Sequence, residues 1–159
     1  MIRRCRETDV PTIGTIINEA AEAYRDVIPH DCWHDPYMSQ SALVADIAAG
    51  VSFWGWDASD TLIGVMGLQT VADATLIRHA YVRPAHQGRG IGGALLDALT
   101  NQAAGRILVG TWAAAEWAIR FYERHGFRRA SVEETNRHLS VYWNIPARQR
   151  DTSVVLVRT

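Results

Sequence analysis

Between an apolar run that ends at Val82 and another that starts at Ile91, the chain carries Gln87-Gly88-Arg89-Gly90-Ile91-Gly92-Gly93. That pattern is a strand, a glycine-rich turn and the start of a helix. Spaced glycines let backbone amides approach a ligand without Cβ obstruction, and a helix start adds unpaired N–H groups and partial positive charge. Such a place favours an anion, and several charge-assisted bonds of about 1.5 to 3 kcal/mol each can hold a pyrophosphate.

Two phosphate-binding motifs meet this loop and fail. A Walker loop needs a lysine for the terminal phosphates, and all 16 residues counted as Lys or Arg are arginines. The dinucleotide fingerprint G-x-G-x-x-G is formally matched by Gly88, Gly90 and Gly93. It belongs, however, directly after the first strand of a βαβαβ half, whereas this loop comes midway along the chain.

Hydrophobic periodicity sets the elements around it. Ile2 to Arg6 reads as a short strand, and Asp9 precedes a helix with Pro11 in its first turn and Ile13, Ile16, Ile17 and Ala20 at helical spacing. Asp26 to Tyr37 is irregular, and Ser39 to Ala49 is a second helix stopped by Gly50. Three strands follow, Val51–Asp57, Leu62–Thr70 and Ala74–Val82, with short turns that predict an antiparallel meander. Past the loop, the helix marked by Ile91, Leu95, Leu96 and Leu99 leads to a strand at Ile107–Trp112, a helix at Glu116–His125 and a strand at Phe127–Ser131. The polar segment Glu133–Asn144 is expected to be helical, and Ser153–Val157 is the last strand. One mixed α/β domain over residues 1–159 is the expectation.

Charge and cysteine content narrow the partners. A formal net charge of -1 without clustering leaves no footprint for nucleic acid or an anionic membrane, and no apolar run is long enough to span a bilayer. The N-terminus lacks a signal-peptide pattern. Cys5 and Cys32 have no metal-ligand spacing and are expected as reduced thiols of a cytoplasmic protein. His30 and His34 stand four apart, but Pro29 and Pro36 interrupt any helical face, so no metal is expected.

The segment Tyr81-Val82-Arg83-Pro84-x-x-Gln87-Gly88-Arg89-Gly90-Ile91-Gly92 resembles motif A of the GNAT superfamily of acyl-CoA-dependent N-acyltransferases. Downstream, Ala118-Ile119-Arg120-Phe121-Tyr122-Glu123-Arg124-His125-Gly126-Phe127 resembles its motif B. Both occur in the family's order with the expected strand between them. The resemblance implies the α/β (α+β) fold of that family, a mixed, mostly antiparallel sheet flanked by helices in the order β-α-α-β-β-β-α-β-α-β-β. It also implies acetyl-CoA as cosubstrate and transfer of its acetyl group to a primary amine of a small molecule by direct attack in a ternary complex. A catalytically silent acyl-CoA sensor and a protein or peptide acetyltransferase stand as alternatives. Many members carry Asn three residues before the motif B alanine, where this chain has Ala115.

On the same resemblance, Tyr81, Val82 and the run Gln87, Gly88, Arg89, Gly90, Ile91, Gly92 would bind the coenzyme, with the Val82 backbone on the pantetheine arm and the loop amides on the pyrophosphate. Tyr122 would stabilise the leaving thiolate by a hydrogen bond; a phenol of pKa about 10 is a weaker acid than a thiol of about 8.5. The family's strand glutamate falls near Leu76, where no carboxylate stands, and His79 is the one side chain on Leu76–Ala80 able to act as a base near pH 7. It is either that base or a structural histidine. Asp31, Trp33 and His34 occupy the place of the family's acceptor loop: Asp31 would attract an ammonium and Trp33 would supply a cation-π face, or the segment is a plain surface loop. The stretch Glu133–Gln149, with Tyr142, Trp143 and Pro146, either closes the acceptor site, pairs two subunits into a homodimer, or packs generically.

Overall fold

A computed structural model describes every residue from Met1 to Thr159. The strands are β1 (Ile2–Arg4), β2 (Ser52–Ala58), β3 (Thr61–Val71), β4 (Ala74–Val82), β5 (Arg106–Trp112), β6 (Arg128–Arg129) and β7 (Ser153–Arg158), and they form one sheet in the order β1-β2-β3-β4-β5-β7-β6. All neighbours run antiparallel except β4 and β5. The helices are α1 (Val10–Ala21), α2 (Gln40–Ala48), α3 (Ile91–Thr100), α4 (Glu116–Arg124), α5 (Val132–Tyr142) and α6 (Ala147–Asp151). This is the mixed, mostly antiparallel, helix-flanked sheet that the two motifs imply.

Alternation along the strands assigns the helices to faces. On β5, Ile107 and Val109 join Leu95, Leu96, Leu99 and Ile119 in the core beneath α3 and α4. Leu108, between them, joins Leu139 and Tyr142 of α5 on the other face. That second face is shared: α1 and α2 cover its β2–β3 half through Ile13, Ile16, Ile17 and Leu43. Truncating a fully buried leucine such as Leu95 to alanine costs about 2 to 5 kcal/mol, so each layer is firmly held.

Three local findings refine the sequence expectations. Asp9 makes no side-chain cap on α1; it clamps the turn before it, accepting from the Arg6 amide at 2.7 Å and from the Arg3 guanidinium at 2.9 and 3.1 Å. That Arg3 hydrogen bond holds the Asp9 carboxyl down to about 2. The strand at Phe127–Ser131 shrinks to Arg128–Arg129 because Ser131 begins α5 instead: its Oγ accepts from the Glu134 amide at 3.1 Å, and Glu134 accepts from the Ser131 amide at 3.4 Å. Lastly, α6 follows Pro146 and adds a helix between β6 and β7 that periodicity did not reveal.

Candidate active site

The parallel pairing of β4 with β5 runs from Ala74↔Arg106 to Ile77↔Val109 and stops. Beyond it β4 continues to Val82 along β3, and β5 continues to Trp112 along β7. The stop coincides with a bulge: Gly67 pairs with Arg78 and Val65 with Tyr81, so β4 carries one residue more than β3. The extra residue is His79, whose φ of 53 lies in the left-handed region. A non-glycine residue there costs about 1 to 2 kcal/mol. The result is that Arg78 and His79, adjacent in sequence, both reach Asp46 on α2, an arrangement regular strand alternation forbids.

Two cavities open at this parting. One, of about 570 Å³, follows the glycine loop and is lined by Val82, Gln87, Gly88, Gly90, Ile91 and Gly92, with α4 opposite. The other, of about 160 Å³, lies between the separated strands, under Tyr24 and Tyr37 on one side and Trp143 and Gln149 on the other. Tyr24, Ala80, Tyr81, Ala118 and Tyr122 line both, so the cavities meet there.

The glycine-loop edge of the larger groove presents backbone amides. Gly88 and Gly90 both have φ of 80, which only glycine adopts freely. Ala94 is the first residue of α3 whose amide closes onto a carbonyl, Gly90 O at 3.0 Å; the amides of Gly88 to Gly93 ahead of it have no acceptor within the protein. Six successive free donors at a helix start suit a pyrophosphate. Gln87 holds this loop to its strand, donating from Nε2 to Val82 O at 3.0 Å. Gly93 serves packing instead, since a Cβ there would stand 2.8 Å from His125 Nε2 on α4. Arg89 is exposed, 3.5 Å from His86, and does not line the groove.

At the junction, Tyr122 is buried to 5% exposure on α4, edge-on to Phe121 and Phe127. Its hydroxyl makes no hydrogen bond within the protein, and burial pushes its ionisation far up. It is therefore a neutral O–H donor aimed at whatever occupies the junction. Ala115, fully buried at the start of α4, packs beside Trp112, Ile28 and Cys32 and offers no polar side chain.

His79 Nε2 lies 2.8 Å from Asp46 Oδ2, and its ring stacks on Phe53. Burial is the largest influence on His79 and lowers it below its ordinary value despite the opposing Asp46 bond. Burial alone would raise Asp46, but the His79 bond brings its carboxyl below the usual range. The pair is thus neutral imidazole with carboxylate, Nε2–H donating to Asp46, which leaves Nδ1 as a lone-pair acceptor.

Of the residues expected from sequence, Tyr122, His79, Tyr81, Val82, Gln87, Gly88, Gly90, Ile91 and Gly92 gather on the two joined cavities. Asp31, Trp33 and His34 do not line either. Asp31 pairs with Arg148 of α6 at 2.9 Å, Trp33 lies beneath the Arg25 guanidinium at 4.6 Å and packs on Tyr37, and His34 is exposed. The same irregular segment contributes Tyr37 in their place, and the turn before it contributes Tyr24. Asp46, Arg78 and Trp112 have no signal in the sequence: no motif marks them, and the chain brings them together only in three dimensions. Trp143 and Gln149, within the stretch Glu133–Gln149, line the smaller cavity.

Residues 49–129, half of the chain, match the model of the acetyltransferase (GNAT) domain. The chain belongs to the GNAT family and is an acyltransferase. Among solved structures it is similar to the PaiA N-acetyltransferase of Thermoplasma acidophilum in complex with coenzyme A, at 17% identity, with 100% of this chain and 98% of that chain covered and a TM-score of 0.73. It is likewise similar to a GNAT-family acetyltransferase of Staphylococcus aureus Mu50, at 18% identity, 99% and 97% coverage and a TM-score of 0.74. A third likeness is to the ribosomal-protein-S18-alanine N-acetyltransferase of Escherichia coli, at 18% identity, 99% and 92% coverage and a TM-score of 0.70. At these identities the likeness is one of fold.

Proposed function

We propose that the protein transfers the acetyl group of acetyl-CoA to a primary amine of a small molecule, by direct attack in a ternary complex. The observation that carries this is the meeting of the groove along the glycine loop with the smaller cavity at Tyr122. The pyrophosphate lies on the free amides of Gly88 to Gly93, the pantetheine arm runs along Val82, and the thioester reaches the junction. A coenzyme-A-bound neighbour of the same fold supports that placement.

An attacking amine with a lysine-like pKa near 10.4 is mostly ammonium at pH 7, and deprotonation costs about 4 to 5 kcal/mol. The small cavity lowers that cost: its walls are aromatic, it holds no carboxylate to stabilise an ammonium, and His79 supplies a neutral imidazole. The amine nitrogen forms its bond to the acyl carbon and gives its proton to His79 Nδ1, with Asp46 keeping the ring oriented. As the tetrahedral intermediate collapses the C–S bond breaks, and the thiolate leaves hydrogen-bonded to the Tyr122 hydroxyl. Proton uptake by that thiolate yields free coenzyme A and the acetamide.

A cavity of about 160 Å³ roofed by Tyr37 and Trp143 favours a small acceptor over a folded protein. Acetyl-CoA turnover across an amine panel, run beside Tyr122→Phe, tests the proposal. Transfer to at least one amine, strongly reduced in the variant, is expected. Stabilisation by acetyl-CoA in a thermal melt with no transfer to any amine would instead make the chain a silent acyl-CoA sensor. The chain has no lysine, so its own lysine side chains add no background to the assay.

A further inference from the structure

The acceptor cavity has a direction. Tyr122, Tyr81 and Tyr24 stand at the end shared with the coenzyme groove, while Arg78 lines the acceptor cavity alone. Arg78 is also the only permanently charged side chain in that lining, which contains no Asp or Glu. Its guanidinium is largely enclosed, with 21% of the side chain exposed.

The protein meets few of that cation's hydrogen-bond donors. One guanidinium N–H is donated to Gln69 Oε1 at 2.8 Å, a neutral acceptor. The nearest carboxylate oxygen, Asp46 Oδ2, is 3.6 Å away, beyond hydrogen-bond range, and it already receives His79 at 2.8 Å. Arginine carries five N–H donors, so most of those on Arg78 have no acceptor. Asp46 supplies a counter-charge but no hydrogen bond, so a partly desolvated guanidinium at a cavity wall, with most of its donors unmet, is a site for a second carboxylate, which arginine binds in bidentate fashion. Burial lowers the ionisation of Arg78 against the opposing pull of Asp46.

We propose that Arg78 binds a carboxylate on the acceptor, so that the acceptor class is small primary amines bearing a carboxylate, as free amino acids do. The inference rests on the acetyl-transfer reading above and adds the identity of the second functional group. The carboxylate docks at Arg78, the amine faces the junction at Tyr122, and the aromatic rings of Trp112 and Trp143 enclose the carbon skeleton.

The test compares matched pairs, each an amino acid and the amine left when its carboxylate is removed: alanine with ethylamine, serine with ethanolamine, phenylalanine with phenethylamine. In the wild-type protein the carboxylate-bearing member of the accepted pair is expected to have a kcat/KM at least about tenfold higher, the worth of one charge-assisted contact. Arg78→Gln should erase that gap while coenzyme A still raises its Tm. Because Arg78→Gln also removes the bond to the buried Gln69, the amino acid amides are assayed on the wild type as a control independent of folding, and neutralising the substrate should erase the same gap. Decarboxylated amines or amides used as well as the acids would overturn the assignment of Arg78 and leave acetyl transfer standing. Transfer to no amine of any kind would overturn the acetyl-transfer reading, and this assignment with it.

Discussion

The two joined cavities are built in opposite ways. The coenzyme groove takes its donors from backbone amides of one uninterrupted stretch, Gly88 to Gly93, fixed by two left-handed glycines and a helix start. The acceptor cavity takes its chemistry from side chains of separate elements: Tyr24 and Tyr37 before α2, Arg78 and His79 on β4, Trp112 on β5, and Trp143 and Gln149 around α6. Backbone donors are indifferent to most side-chain replacements and intolerant of a changed φ. Side-chain sites behave in the reverse way, so one scaffold can keep its donor chemistry while the acceptor varies.

The sharpest way to break that contrast is Gly90→Val. A β-branched residue at φ 80 must move the loop, and losing two charge-assisted amide contacts costs about 3 to 6 kcal/mol, which is a loss of acetyl-CoA affinity of a hundredfold or more. Calorimetric titration with coenzyme A checks it; affinity within a few-fold of wild type would show that the groove does not depend on its glycines. Next in size is Tyr122→Phe. Loss of one donor to developing negative charge lowers kcat by about 10², while coenzyme A affinity stays near wild type because the amides are untouched.

His79→Gln acts on the other cavity, with an expected fall in kcat/KM of about 10². The sign of its pH dependence follows from burial. His79 sits below its ordinary value of 6.5, so the wild-type profile, expressed per free amine, falls only as pH drops through that lowered value, where the base becomes protonated. The variant should lack this acid limb. For stability the direction is the same: the unfolded chain takes up the proton first, so the contribution of neutral His79 is present above pH 6.5 and is lost as pH falls. Asp46→Asn, which changes only the ring's support, should give a smaller fall and a displaced acid limb. A structural histidine would leave the shape of the profile unchanged in both variants.

Asp31→Ala marks the lower end. Its partner Arg148 and its own carboxylate are both exposed, and exposed pairs contribute little to stability. An unchanged Tm and unchanged turnover are expected. A large loss of activity would return Asp31 to the acceptor site, as its place in the chain first suggested.

The same contrast explains what could be read from the chain. Contiguity made the groove legible: strand, turn and helix start lie within one stretch, and Gly88 and Gly90 carry their conformational role in their identity. The order of strands and helices was legible because the runs of Ile, Leu and Val keep their period through most elements. His79 could be singled out as the one titratable base on its strand, but neither its left-handed backbone nor Asp46, 33 residues earlier, has any local signature. Asp31, Trp33 and His34 stand out by composition, yet tertiary packing turns Tyr37 of the same segment, and Tyr24 just before it, toward the cavity. The helix Ala147–Asp151 is too short to show a period, and β6 lost most of its length to the cap at Ser131.

Initial rates measured over a matrix of acetyl-CoA and amine concentrations test the central claim, direct transfer across the junction at Tyr122, most directly. Double-reciprocal lines that intersect, with no acetyl-protein isolable when amine is omitted, are the predicted result. Parallel lines together with a covalent acetyl-protein would contradict it.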